Sequence, residues 1–542
     1  MQKEILELHN LIKYKNIDKA YVEAKKIYQK NNKNADIIKI LSFIYIQKGQ
    51  FSSAIDVLEN YYSENSQEKD FDYFINMGVS LKSNEDFERS LLMYEEAVKI
   101  DPDSPLCYTV PAEINLKLRD FKKSIELINI AIDKINNSFK KNILHFPNAI
   151  KLKTEINVAL NKDEENGEML KTILNENFYP DIFFLLATVN VNLIDEKLLL
   201  MAEEQLKINN TKFENKLDRF WFVHPLYFGL AIYYQKINKE KSEKYYHLGN
   251  NETMQSLRYN SFNYQKNIGD IIETYKEKFA LNSIETKKGS NNIFILGTPR
   301  SGTTLIESII ASNDEVKSGG ELLSANRLIQ EFVDNKVKKE LKEFVANFHE
   351  KYLGRTNYLR GNYKIIVDKL PENFLFLGYL VKLLPNSKFI RTFRDPWDVA
   401  ISLYKQRYVT NIPFSASFFN IGVFMSNFEA INCFWNKELE GNNNILDVHY
   451  EELVKNTEMY QKKIYNFLGL ESEYNEERRR SFFSQTASIR QIGSPVHNKS
   501  IEKNEFIDHK NEFYDAFKMQ RKYWEKRGIL TKNEEFFGYK LS

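Results

Sequence analysis

As far as Glu285, apolar positions fall at helical spacing, and small residues recur among them with a near-constant period. Ala20, Ala54, Ser90 and Ser124 stand 34, 36 and 34 residues apart. A turn precedes each: Lys15-Asn16-Ile17-Asp18, Lys48-Gly49-Gln50-Phe51, Asn84-Glu85-Asp86-Phe87 and Arg119-Asp120-Phe121. The pattern predicts paired helices that stack, because one pair cannot bury its apolar face alone. From Phe139 the repeat decays while the spacing stays helical. Pro225 to Tyr246 reads as one more degenerate pair, and Tyr259 to Phe279 as a further helix. After the polar, turn-prone Lys287-Lys288-Gly289-Ser290-Asn291-Asn292 the pattern changes. Ile293 to Leu296 is a short apolar run suited to a buried parallel strand, and Gly297 ends it. From Thr303, Leu305, Ile306, Ile309 and Ile310 predict a helix. Runs at Ile366–Val367, Phe389–Ile390 and Val448 read as further strands, each leading into a helix.

The strand–loop–helix at 293–310 directs backbone N–H groups and a positive helix end at one spot, an arrangement that suits a phosphate. Gly297, Gly302 and Thr304 keep the spacing of a nucleotide-binding loop of the form G-x-x-x-x-G-K-[ST]. Thr303 stands where the lysine that reaches β- and γ-phosphates belongs, and Arg300 supplies the charge from inside the loop. The run Pro299-Arg300-Ser301-Gly302-Thr303-Thr304 resembles the 5′-phosphosulfate loop of the sulfotransferase family. That resemblance implies PAPS (3′-phosphoadenosine 5′-phosphosulfate) as donor, with PAP as product and these six residues as donor contacts.

Further segments resemble the same family, in order. Ser318-Gly319-Gly320-Glu321 is similar to the glycine–glutamate pair of tyrosylprotein sulfotransferases, which makes Glu321 the implied general base. The alternative is a helix-start glutamate favoured by the dipole. Asp368-Lys369-Leu370-Pro371-Glu372-Asn373 resembles the D-K-x-P-x-N segment, so Lys369 is implied to neutralise charge on the bridging oxygen, with Asp368 positioning it; a solvated ion pair is the plain alternative. Arg394-Asp395-Pro396 with Ser402 eight residues on resembles the 3′-phosphate site. The position of a further family arginine holds Gln406, with Arg407 beside it, so the third contact departs from the pattern. Tyr450-Glu451-Glu452-Leu453-Val454 is similar to the family's Y-E-x-L-V segment and places Tyr450 in the donor pocket, while His449 reads as structural. Thr486-Ala487-Ser488 resembles a segment whose serine steadies the sulfuryl group, here Ser488. Lys503 takes the place of a family lysine, although Asn504 replaces the tryptophan expected after it.

The repeated helices resemble the tetratricopeptide (TPR) family; the unit Phe71–Ser104 carries Phe74, Gly78, Leu81, Ser90, Tyr94, Ala97 and Pro102 at the consensus offsets. Together the resemblances imply a bacterial TPR-fused sulfotransferase: an all-α TPR superhelix before an α/β P-loop-type parallel sheet with helices on both faces. The expected domains are TPR repeats at 1–138, degenerate linking helices at 139–286 and the sulfotransferase domain at 287–542. Composition adds bounds. At 542 residues with 42% hydrophobic positions, two or three cores can form. The net charge of +2 argues neither for nor against nucleic acid. Cys107 and Cys433 make no disulfide framework or zinc spacing, the start lacks a signal-peptide core, and no run reaches transmembrane length. The expectation is a cytoplasmic enzyme with no metal, no nucleic-acid or membrane partner, and an unspecified oligomeric state. The expected partner is an acceptor hydroxyl on a peptide, glycan or small molecule, with a protein tyrosine the guess by analogy and the TPR face a place to hold it. Two rivals stay open: a P-loop kinase or other NTPase, weakened by Thr303 and by the lack of a clear Walker B carboxylate, and a TPR scaffold with an inactive transferase domain.

Overall fold

The computed structural model describes all residues except 1, 15, 138–144, 210–212, 214, 258, 281, 283, 285, 287, 290, 335–339, 409–411, 472–474, 481, 483–504, 532–534 and 541–542. It divides into two compact units, Met1–Leu160 and Asn161–Ser542. The segment 139–286 is thereby shared out: residues to 160 cluster with the first helices, and those from 161 with the sheet.

The elements of the first unit, among the described residues, are all helices. Pairs such as Phe71–Ser83 with Phe87–Ile100, and Leu106–Leu118 with Phe121–Asn137, follow the predicted period. Ala20, Ala54, Ser90 and Ser124 have no exposed surface, so the small side chains let helix backbones approach. Each serine also satisfies its own hydroxyl: Ser90 Oγ donates to the Gly78 carbonyl and Ser124 Oγ to the Ala112 carbonyl, both at 2.7 Å. Asn34, Asp70 and Asp86 cap helix starts through side-chain oxygens.

The second unit holds five parallel strands: β1 (Asn292–Gly297), β2 (Val316–Ser318), β3 (Ile365–Asp368), β4 (Lys388–Phe393) and β5 (Ile445–His449), in the order β2-β3-β1-β4-β5. β1 is buried throughout, and its residues alternate between two cores. Ile293 and Ile295 pack with Ile306, Ile309 and Ile464 on one face. Phe294 and Leu296 pack on the other with Val399, Ile401, Trp435 and Phe517. The chain therefore leaves β1 toward one face and the neighbouring β4 toward the other. Adjacent strands whose connections part in this way open a crevice at their carboxyl ends, where ligands bind in such sheets.

Helices that precede the sheet share its second core. Phe228, Tyr246, Ile268, Ile271, Tyr275 and Phe279 are buried in the same cluster as Phe294 and Phe389. Tyr275 meets Trp435 edge-on at 4.9 Å between ring centroids, and Tyr379 Oη donates to the Ile271 carbonyl at 2.7 Å. The pair Lys216–Tyr234 and Lys239–Ser256 repeats the device of the first unit, with Ser242 Oγ donating to the Ala231 carbonyl at 2.8 Å. The helix Lys510–Lys526 packs on Phe418–Glu438, where Asn427 Oδ1 accepts from Trp524 Nε1 at 2.7 Å and Gln520 Nε2 at 3.0 Å. Among the described residues no helix is long and apolar enough to cross a membrane, and no group of three or more His, Cys, Asp or Glu residues could hold a metal.

Candidate active site

The loop from β1 to the helix Thr303–Ile310 is fixed by close packing. A Cβ on Gly297 would lie 2.1 Å from Thr392 Oγ1 of β4, and one on Gly302 (φ +97°) 2.4 Å from the Tyr450 ring. Between them Ser301 Oγ donates to the Thr298 carbonyl at 2.7 Å. Arg300 adopts φ +72°, a left-handed conformation costly for a residue with a side chain. The turn aims the Arg300 guanidinium across the crevice, where its Nε donates to Ser402 Oγ at 3.0 Å. No side chain caps the helix that begins at Thr303, and Thr303 and Thr304 are buried at its first turn.

Arg394 enters the same crevice from the end of β4. One of its terminal nitrogens donates to the Arg300 carbonyl at 2.8 Å, its plane lies over the Tyr450 ring at 4.5 Å, and Asp398 is 3.9 Å away. Asp395 positions it by capping the helix Pro396–Tyr404, its side chain accepting from the Asp398 N–H at 2.9 Å. Burial, with Arg394 as a like charge, pushes the Arg300 guanidinium below its ordinary pKa, while Tyr408 and Tyr450 oppose the shift. Two guanidiniums thus stand together at the crevice, Asp398 lying 3.9 Å from the second, and their combined charge favours an incoming anion. Arg407 takes no part here: it donates to His224 Nδ1 at 3.2 Å and pairs with Asp181 at 2.9 Å. Because Nδ1 accepts, His224 carries its proton on Nε2, 3.0 Å from Thr253 Oγ1.

A second cluster sits at the ends of β2 and β3. Lys369 is fully buried; its Nζ donates to Glu321 Oε1 at 2.5 Å and lies 3.8 Å from Glu307 Oε2. The Glu321 side chain is 42% exposed, so its carboxylate is open to an incoming molecule. Asp368 accepts from Tyr352 Oη at 2.8 Å and Asn373 Nδ2 at 3.3 Å, and the carboxylates against the lysine are Glu321 and Glu307. Burial raises the Glu372 carboxyl above the usual range, with Glu321 adding to the shift and Lys369 opposing it. Burial also pushes the Tyr408 hydroxyl up to about 12, Arg300 pulling it down and Glu321 and Glu372 pushing it further up. Glu307, Glu372 and Tyr408 are the site residues that sequence reasoning missed. Glu307 carried one signal, a charge inside the apolar stripe Ile306, Ile309, Ile310. His449 meets the Tyr539 hydroxyl at 3.2 Å and serves packing. Ser488 and Lys503 lie outside the described residues, as does all of Thr486–Val496.

The structure therefore brings Arg300, Arg394, Ser402 and Tyr450 together at the β1–β4 crevice, and Glu321 with Lys369 at the ends of β2 and β3. Residues 292–475, which span both clusters, match the sulfotransferase family. They form a sulfotransferase-family domain. Over 257 residues the chain is 31% identical to an uncharacterized protein of Aquifex aeolicus (strain VF5), covering 43% of this chain and 33% of that one. Over 200 residues it is 28% identical to protein-tyrosine sulfotransferase 1 of Danio rerio, covering 33% of this chain and 53% of the other. The chain thus spans a third of the first relative and about half of the second. Among solved structures, the sulfotransferase domain of the Synechococcus PCC 7002 olefin synthase aligns with TM-score 0.28 at 18% identity, over 46% of this chain and 99% of that one. The C-terminal part of a TPR repeat-containing protein from Cytophaga hutchinsonii aligns with TM-score 0.31 at 14% identity, over 45% and 93%.

Proposed function

We propose that this chain transfers a sulfuryl group from PAPS to an acceptor hydroxyl. The observation that carries the reading is the pair Arg300 and Arg394 with Ser402 at the β1–β4 crevice, beside a phosphate loop with Thr303 in the lysine position. The donor set suits a nucleotide with anions at both ends: an uncapped helix start and Arg300 for a phosphosulfate, Arg394 and Ser402 for a second phosphate. Pro299, Arg300, Ser301, Gly302, Thr303 and Thr304 would hold the 5′ end. Arg394 and Ser402 would hold the 3′-phosphate, with Tyr450 beside them, and Lys503 would be a further donor contact. Bound there, PAPS supplies an activated sulfuryl group on a phosphate leaving group.

The chain's own residues do the rest. Glu321, half open to solvent, accepts the proton of the acceptor hydroxyl. Lys369, buried beside it, counters negative charge that develops as the bond to the phosphate breaks, and Ser488 assists. The loop packed against Thr392 and Tyr450 keeps the donor in line with little reorganisation. A protein tyrosine is the acceptor in this reading, and the TPR-like helices hold the molecule that bears it. The kinase reading finds no lysine in the loop, and an inactive scaffold would have no need to keep Glu321 and Lys369 paired.

Ligand-dependent thermal stability tests the reading. PAP binding the native state adds RT ln(1 + [L]/Kd), so it should raise Tm; adenosine 5′-phosphosulfate, without the 3′-phosphate, should do so much less. Arg394→Ala should erase the difference. Stabilisation by ATP but not PAP would favour the kinase, and by neither the scaffold. On a verified acceptor, Glu321→Gln should lower turnover by about 10²–10⁴ with PAP affinity little changed.

A further inference from the structure

The helix that follows the phosphate loop carries a carboxylate in its buried stripe. Glu307 has no exposed surface and sits among Ile306, Ile309 and Ile310. A carboxylate in such a place needs a hydrogen-bond donor and a cation. It has both. Ser318 Oγ, at the end of β2, donates to Oε1 at 2.6 Å, and Oε2 faces Lys369 Nζ at 3.8 Å. Ser318 Oγ in turn accepts from the Gly320 N–H at 3.2 Å, in the turn that leads to Glu321. Helix, strand end and base-bearing turn are therefore joined through one carboxylate.

The two acids on Lys369 are not equivalent. Glu307 is fixed by burial and by a strand serine. Glu321 is about half open and is the group that must change charge when it takes a proton. Once protonated it no longer holds the ammonium, and a buried lysine with no anion beside it is driven to move or to lose its proton. We propose that Glu307 is a positioning residue of the transfer: it keeps Lys369 charged and in place while Glu321 takes the acceptor's proton. The inference rests on the sulfuryl-transfer reading. The ionisable groups facing this lysine are Glu321, Glu307 and Glu372, and Tyr408 faces Glu321 and Glu372. Carboxylates thus reach Lys369 from the helix after the phosphate loop and from the turn after β2.

Glu307→Gln keeps the side-chain volume and can still accept from Ser318, but removes the charge. The first measurement needs no substrate: acylation of Lys369 by an amine-reactive ester, read by peptide mass spectrometry. Labelling at Lys369 should rise several-fold in Glu307→Gln, with labelling of Lys405 unchanged. The second is the rate. Turnover should fall between about tenfold and about a hundredfold with KM for PAPS little altered. The acid limb of the pH–rate profile should move to lower pH, because Glu321 loses a like-charged neighbour. Glu307→Asp should recover wild-type labelling and much of the rate. Should Glu307→Gln not fold, Ser318→Ala frees the same carboxylate and should give a smaller rise in labelling. Equal Lys369 labelling in wild type and variant, or a rise at every lysine that tracks a loss of Tm, overturns the inference. A wild type that neither binds PAP nor transfers sulfuryl groups defeats the underlying reading and this role with it. A wild type that does both while Glu307→Gln leaves labelling, rate and acid limb unchanged defeats this role alone.

Discussion

In the helix pair Phe71–Ser83 and Phe87–Ile100, a serine hydroxyl on the second helix donates to a carbonyl on the first, and Gly78 leaves room for Tyr94. In the pair Lys216–Tyr234 and Lys239–Ser256, Ser242 does the same to Ala231, and Gly249 leaves room for Phe228. The hairpins are joined alike, yet their outer faces differ. Leu92 and Ile100 of the early pair are about half exposed. Phe228, Ala231 and Tyr246 of the later pair are buried in the core beneath the sheet, and Asn250 Nδ2 donates to the Tyr404 carbonyl at 2.9 Å. His224 of the same pair takes the Arg407 guanidinium. Small residues decide how two helices meet; the residues on the far side decide what the pair belongs to.

The comparison breaks most visibly by truncation. A chain starting at residue 287 loses Phe228, Tyr246, Ile268, Ile271, Tyr275 and Phe279 from the shared core. At about 2–5 kcal/mol for each large side chain removed, the loss of about 12–30 kcal/mol matches or exceeds the roughly 5–15 kcal/mol that holds a domain together. That chain should show no cooperative thermal transition, while one starting at residue 161 should unfold cooperatively and still respond to PAP. A sharp transition near the wild-type Tm from the shorter chain would mean the later pair is no part of the core.

Filling the two glycines is the next largest change. A Cβ at Gly249 would lie 2.7 Å from the Phe228 ring, and at Gly78 2.8 Å from the Tyr94 ring. Gly249→Val and Gly78→Val should each cost about 1–3 kcal/mol by overpacking. Only Gly249→Val should lower the transition that PAP shifts; equal effects on it from both would erase the distinction.

Acid should also separate the regions. Burial and Arg407 hold His224 well below 6.5, and burial lowers His247 and His349 as well. Below pH about 6.5 the unfolded chain takes up protons that these folded imidazoles refuse, so stability present above that pH is lost as pH falls through it. The PAP-responsive transition should drop between pH 7 and 5, and His224→Gln should flatten the drop. An unchanged slope in the variant would assign the acid sensitivity elsewhere. The smallest effect is expected from the serines: Ser90→Ala and Ser242→Ala should each cost about 1 kcal/mol, read in different transitions.

What the sequence shows plainly is what short segments encode. The phosphate loop, Lys369 and Arg394 each sit at a strand end or helix start with their own local pattern, and Ser402 lies in the last turn of the helix Pro396–Tyr404. Pairings across long stretches carried no such mark. Arg407 stands beside the expected arginine position, but its partner His224 is 183 residues away. Glu307 reads as an interruption of an apolar stripe until β2 and β3 bring Ser318 and Lys369 against it. Helical spacing likewise revealed the pair at 225–246 but not the sheet that its aromatics cover.

The helix Lys510–Lys526 has a consequence for how the molecule is made. Asn427 is completed by Gln520 and Trp524, and Gly422 would place a Cβ 2.3 Å from the Phe513 carbonyl, so this late segment is set deeply against the helix Phe418–Glu438. The first unit closes through neighbours near in sequence and can settle while the ribosome is still at work. The second must wait, with the aromatic faces of residues 216–280 already emerged and uncovered, until residue 526 has left the exit tunnel. Over that interval the nascent chain is most open to association with other chains, and chaperones would be most needed there.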